Sequence, residues 1–210
     1  MNQTDTGNTY NHNPLALAIT GASGAAYALR LLEVLLGQCR PVDLMISAPG
    51  QIVINMETGL KLPGQTSGIQ RVLTEQFGAD PDQLRVFGRE EWTAPVASGS
   101  SAPQAMVVCP CTTGTLAGIA AGTSSNLIER AADVTIKEGR KLVLVPREAP
   151  FSAIHLENML KLARLGVVIL PPNPGFYQNP SSIADLVDFV VARILDQLGI
   201  ENALSPRWGE

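Results

Sequence analysis

Residues 142–180, LVLVPREAPFSAIHLENMLKLARLGVVILPPNPGFYQNP, join two apolar runs to loops that carry Arg147, Glu148 and Tyr177. A guanidinium directly after an apolar strand suits two-pronged recognition of phosphate or carboxylate. Glu148 beside it is either a structural partner or a proton-transfer group. Tyr177 offers a phenol from a proline-rich loop, as a ligand contact rather than only a packing aromatic. Ligands of open α/β sheets bind beyond the carboxyl ends of the strands, so these positions read as a binding region.

Two further stretches have the same form. Residues 15–20 (LALAIT) run into Gly21, Ala22, Ser23 and Gly24 and then into a helical pattern. Amides and a hydroxyl at a helix start attract phosphate, although the glycines could equally serve close packing, because the G-x-G-x-x-G fingerprint is incomplete. Asp43 lies near the start of the next strand, away from its carboxyl end, and Ser47 occupies that end. A hydroxyl there argues against a dinucleotide ribose and for a mononucleotide. In the third stretch, CPCTTGT, Thr112, Thr113, Gly114 and Thr115 open another helix, where they serve as ligand contacts or as caps.

Nothing near Cys109 or Cys111 in sequence favours a lowered thiol pKa. Their one-residue spacing does not suit zinc, and no metal site is expected. Arg130, Lys137, Arg147 and Arg193 fall on four separate segments, and His155 and Glu157, on a helix without a second ligand histidine, read as structural.

The elements that must hold these residues alternate. Strands are expected at residues 15–20, 42–47, 105–109, 142–145 and 167–170. Helices are expected at 25–36, 51–57, 67–77, 113–121, 126–138, 152–165 and 182–198, with Ile154, Leu156, Met159, Leu160 and Leu162 as one apolar stripe. Residues 87–103, rich in Gly, Ser and Pro, read as an irregular loop that is either functional or mobile. Strands alternating with helices imply a doubly wound parallel sheet covered on both faces, one domain over residues 14–210 behind a polar, mobile arm at 1–13.

With 210 residues, 45% hydrophobic, and a net charge of −4, the chain lacks the basic footprint of a nucleic-acid binder. No apolar run reaches the length of a membrane helix, the start has no signal-peptide pattern, and three cysteines do not make a disulfide framework. A cytoplasmic location is expected.

Taken together, TGASGAAYALRLL, CPCTTGTLAGIA, NLIERAADVTIKE, LVLVPREAPFSAIHLENM, PGFYQNP and the terminal PRW closely resemble the UbiX-type flavin prenyltransferases. The resemblance implies a flavodoxin-like (Rossmann-like) three-layer homo-oligomer, typically a dodecamer. It implies metal-independent transfer of a dimethylallyl group from dimethylallyl phosphate to reduced FMN. The product, prenylated FMN with a fourth ring, serves UbiD-type decarboxylases, including one in ubiquinone biosynthesis.

By matching motifs, Gly21, Ala22, Ser23, Ser47, Thr112, Thr113, Gly114, Thr115 and Arg147 would contact FMN. Lys137, Arg147, Tyr177 and Arg193 would gather round the substrate phosphate. Ser23 and Glu148 would manage protons, Trp92 would enclose the prenyl group, and Arg130 and Trp208 are further candidates. Cations on separate segments imply that oligomerisation completes the pocket.

The chain departs from the family pattern at SAPG, where relatives often carry SKAA, and at KEGRK, with Gly139 at an arginine position. This leaves open the local contacts around Ala48 and Gly139. Two other functions would use the same flavin loops. One is an FMN-dependent decarboxylase of the phosphopantothenoylcysteine type, which normally shows a SANT-like segment in place of TTGT; the other is a noncatalytic FMN carrier.

Overall fold

The computed structural model describes residues 14–207 and residue 209, and in it six parallel strands form one sheet. The strands are β1 (Leu15–Ile19), β2 (Val42–Ile46), β3 (Leu84–Phe87), β4 (Ala105–Cys111), β5 (Lys141–Pro146) and β6 (Val168–Ile169). The helices are α1 (Ala25–Gly37), α2 (Ala48–Thr58), α3 (Thr66–Phe77), α4 (Thr113–Ala121), α5 (Leu127–Lys137), α6 (Ala153–Arg164) and α7 (Ile183–Leu198). The expected polar arm, residues 1–13, and Trp208 lie outside the described residues.

The strand order is β3-β2-β1-β4-β5-β6. The chain steps outward from β1 to β3, returns to pair β4 with β1, and then steps outward the other way. This reversal is the topological switch point at which doubly wound sheets open a crevice beyond their carboxyl ends.

Central β1 is buried at every residue, as a parallel strand covered on both faces must be. Its alternation divides the core in two. Leu15, Leu17 and Ile19 pack with α1 and α7, while Ala16 and Ala18 pack with α4, α5 and α6. Edge strands differ: β3 alternates buried Leu84 and Val86 with exposed Arg85, and two-residue β6 is only partly covered.

Two sequence expectations are corrected. β3 lies where no strand was expected, because four residues with one charge in their midst give too short a signal, and its last residue, Phe87, is the first of the loop expected at residues 87–103. The rest of that segment is an irregular connection, in which two 3-10 turns, Pro95–Ala97 and Gly99–Ser101, anchor the chain and Val96 is wholly buried. The apolar stripe of α6 is split, with Met159 and Leu162 in the core but Ile154, Leu156 and Leu160 more than half exposed.

Candidate active site

A cavity of about 250 Å³ opens at the carboxyl ends of β1 to β4. Its walls are Thr20 and Gly21 after β1, Ser47 and Pro49 after β2, Phe87, Gly88 and Arg89 after β3, and Thr112 and Thr115 after β4, closed by Asn126, Leu127 and Ile128. Three helices begin on this wall, each with a polar cap. Ser47 Oγ accepts from Gly50 N at 3.1 Å, Thr112 Oγ1 from Thr115 N at 3.1 Å, and Asn126 Oδ1 from Glu129 N at 3.0 Å. The N-termini of α2, α4 and α5 therefore converge on one space, each bringing about half a positive charge, which at α5 is answered in part by Glu129 in the first turn, accepting from Ser125 N at 2.8 Å.

The frame is tightly tied. Thr20, 2% exposed, donates from Oγ1 to Pro110 O at 2.7 Å and accepts from Thr112 N at 2.8 Å, which locks the end of β1 to the end of β4. A Cβ on Gly21 would lie 2.4 Å from Pro49 Cβ, so only glycine lets the first loop lie against the start of α2. The packing need for this glycine is thus explicit, and the same residue lines the cavity.

The start of α1 is different. Glu57, in the last turn of α2, accepts from Gly24 N at 3.0 Å and Ala25 N at 2.8 Å through one carboxylate oxygen. Desolvation works to raise this carboxyl. The Ser23 hydroxyl, the two amides and nearby Arg147 outweigh it and hold the group below its ordinary 4.5. The phosphate reading of this helix start is corrected: these amides already serve an anion of the chain's own. Ser23 and Arg147 meet round that carboxylate, and Tyr27 lies within electrostatic reach of both Arg147 and Glu57.

Of the expected FMN contacts, Gly21, Ser47, Thr112 and Thr115 line the cavity; Ala22, Ser23, Thr113, Gly114 and Arg147 do not. Arg147 follows β5, its backbone N donating to Cys111 O at 3.2 Å, and Glu148 is exposed and accepts from Ala149 N. Tyr177 and Arg193 share a second hollow of about 150 Å³, where Tyr177 packs edge-on to Phe189. There Arg193 pairs with Asp196 at 2.8 Å.

Lys137 ends α5 and pairs with Glu138. That helix starts at the cavity, so its 11 residues put Lys137 about 16 Å down its length. Trp92, 49% exposed, lies in the turn that leaves the cavity at Arg89. Arg130 is held by Asp133 and the Ala97 carbonyl. The single chain thus places its expected substrate cations in separate groups.

Elsewhere, polar side chains serve the fold. His155 Nδ1 accepts from Ser152 N in a capping box, and Asp43, 1% exposed, is gripped from β3 by both prongs of Arg85 at 2.7 and 2.8 Å. A register shift between Val108 and Cys111 sends Cys109 and Cys111 to opposite faces of the sheet, so residues two apart do not meet. Burial pushes both thiols up, Cys111 to about 12, which leaves them protonated and inert.

Sequence reasoning missed Glu57, Thr20, Phe87, Gly88, Arg89 and the cavity role of Asn126. Glu57 carries no local signal, its partners being 32 and 33 residues away. Gly88 and Arg89 were hidden with β3, although their place after a strand end would have marked them.

The family model Flavoprotein matches residues 3–195. Flavin prenyltransferase UbiX of Pseudomonas aeruginosa is 61% identical over 196 residues, covering 93% of this chain and 94% of the relative. The chain belongs to the UbiX-type flavin prenyltransferases. In this family lies AnUbiX, solved in complex with FMN and dimethylallyl pyrophosphate, at TM-score 0.84 and 38% identity over 95% of this chain and 99% of that one. The dodecameric FMN-dependent UbiX-like decarboxylase of Escherichia coli O157:H7 superposes at TM-score 0.83, with 41% identity over 94% of this chain and all of that one.

Proposed function

We propose that this flavin prenyltransferase binds reduced FMN with its phosphate in the cavity and joins to it a dimethylallyl group from dimethylallyl phosphate. One observation carries the reading: three helix N-termini and the hydroxyls of Ser47, Thr112 and Thr115 converge on one crevice in a chain 61% identical to a flavin prenyltransferase. A phosphomonoester fits that donor set. The adjoining Ser23, Glu57 and Arg147 then face the flavin ring. When bound, reduced FMN supplies the nucleophile.

The chain's own residues do the rest. Arg147 offers a fixed positive charge, and Ser23, hydrogen-bonded to the Glu57 carboxylate, holds a proton at its hydroxyl. Lys137, Tyr177 and Arg193 stabilise the departing phosphate, with Glu148 near the proton traffic and Trp92 covering the prenyl group. Each such cationic donor is worth on the order of 3 kcal/mol.

Oligomerisation must bring these groups together, because one chain holds Lys137, the Tyr177–Arg193 pair and the cavity apart. Ile154, Leu156, Leu160 and Leu165 on and beside α6, with Phe176 and Ile183, are 51 to 80% exposed. Covering each returns roughly 1.5–3 kcal/mol, which supports a homo-oligomer, as does the dodecamer of the Escherichia coli relative. The modified flavin then passes to a UbiD-type decarboxylase. The cytoplasm is the proposed location; among the described residues no helix is long and apolar enough to cross a membrane.

The test is anaerobic incubation with reduced FMN and dimethylallyl phosphate, followed by mass analysis of the flavin. A flavin heavier by the prenyl group is expected. Recovery of unmodified FMN from protein shown to bind both would overturn the reading in favour of a carrier or a decarboxylase.

A further inference from the structure

We infer that Arg89 is a specificity-determining residue that makes the site select a phosphorylated flavin over an unphosphorylated one by pairing with the phosphomonoester. The inference rests on the flavin reading above and adds to it the residue that reads the charge.

Among the cavity-lining residues Arg89 alone bears a charge. The others contribute hydroxyls, an amide, apolar side chains and helix starts. Glu129 in the first turn of α5 accepts from Ser125 N at 2.8 Å and answers that helix's charge, so the starts of α2 and α4 supply roughly one positive charge, before solvent screening, against a phosphomonoester of about −1.5 to −2 at neutral pH. The donors of the frame thus fall short of a dianion, and one guanidinium makes up the difference. It is also the group best shaped for two-pronged contact with phosphate.

The position is built while the head is left available. Arg89 O accepts from Leu127 N, the first residue of α5, at 2.8 Å. On its other side Gly88 N donates to Glu91 Oε2 at 2.9 Å, which commits that neighbouring carboxylate to the turn. Arg30, Arg85, Arg130 and Arg193 are each paired with an aspartate, whereas the Arg89 guanidinium has neither ion pair nor hydrogen bond among the described residues. An arginine with a fixed backbone, a cavity on one side and no partner is poised for an anion that enters that cavity.

The experiment compares dissociation constants for FMN and riboflavin in the wild-type protein, Arg89→Gln and Arg89→Lys, each at low and high salt. Wild type is expected to prefer FMN. Arg89→Gln should weaken FMN by about tenfold or more, the usual effect of losing a charged hydrogen-bond donor, while riboflavin changes less than about twofold. Its FMN affinity should also respond less steeply to salt, and Arg89→Lys should recover part of the loss.

If FMN and riboflavin weaken together, Arg89 acts through the fold and the inference fails. It fails too if wild type binds FMN tightly and Arg89→Gln is indistinguishable from it. If wild type binds neither flavin, the flavin reading itself falls, and this inference with it.

Discussion

Helix α1 begins against a carboxylate from its own chain, whereas α2, α4 and α5 begin against a cavity. All four start at the same edge of the sheet, just beyond a strand end or, for α5, across from one. In each the first amides carry the same partial positive charge. What separates them is who answers that charge. Glu57 answers it at α1, where the Ser23 hydroxyl bonds the same carboxylate and Arg147 lies within electrostatic reach of it. At α5 Glu129, in that helix's own first turn, accepts from Ser125 N at 2.8 Å, so among the described residues only the starts of α2 and α4 face the cavity without an acid in their first turn.

The largest expected effect tests the filled side. Arg147→Ala should lower kcat/KM for prenyl transfer by about 100-fold or more, the usual cost of removing a charge-stabilising donor. A loss below about fivefold in steady-state assays would detach the Glu57 region from the reaction.

On the open side, Gly21→Ala puts a methyl 2.4 Å from Pro49 Cβ. Overpacking of this kind costs about 1–3 kcal/mol, and FMN affinity should fall roughly 10- to 100-fold by titration calorimetry. Unchanged affinity would remove the cavity from flavin binding.

Thr112→Ala deletes a helix cap and a cavity hydroxyl together. It should cost about 1 kcal/mol in urea unfolding of the apoprotein and about tenfold in FMN affinity. A stability loss without an affinity loss would make the threonine a cap only.

Glu57→Gln should have the smallest effect. The folded carboxyl is held below 4.5, so its contribution to stability is present above that value and fades as pH falls through the lower folded value. Glu57 is exposed, which limits the contribution to about 1 kcal/mol or less. The urea midpoint of wild type should therefore drop more between pH 5 and acid conditions, on the order of pH 3, than that of the variant. Parallel curves would show that the carboxylate charge does not hold the start of α1.

Much of the framework was legible along the chain. Long apolar runs such as LALAI and LVLV can be satisfied only as strands covered on both faces, and Ser47, Thr112, Ser152 and Ser182 cap their own helices through bonds spanning three residues. The misses share a cause. β3 is short and carries Arg85, whose reason for being there is Asp43, 42 residues earlier. The exposed half of the α6 stripe read as core because periodicity records that a face is apolar, not which body covers it.

Order along the chain therefore settled every α-helix and all strands but β3, the reactive loops and the family, since these depend on residue type and on contacts a few residues apart. Tertiary structure alone decided which helix start is filled and which are open, that Arg89 belongs to the cavity, and that Lys137 lies a helix length away from it. Those outcomes rest on distances between residues tens of positions apart, and such distances exist only once the sheet has brought the strand ends together.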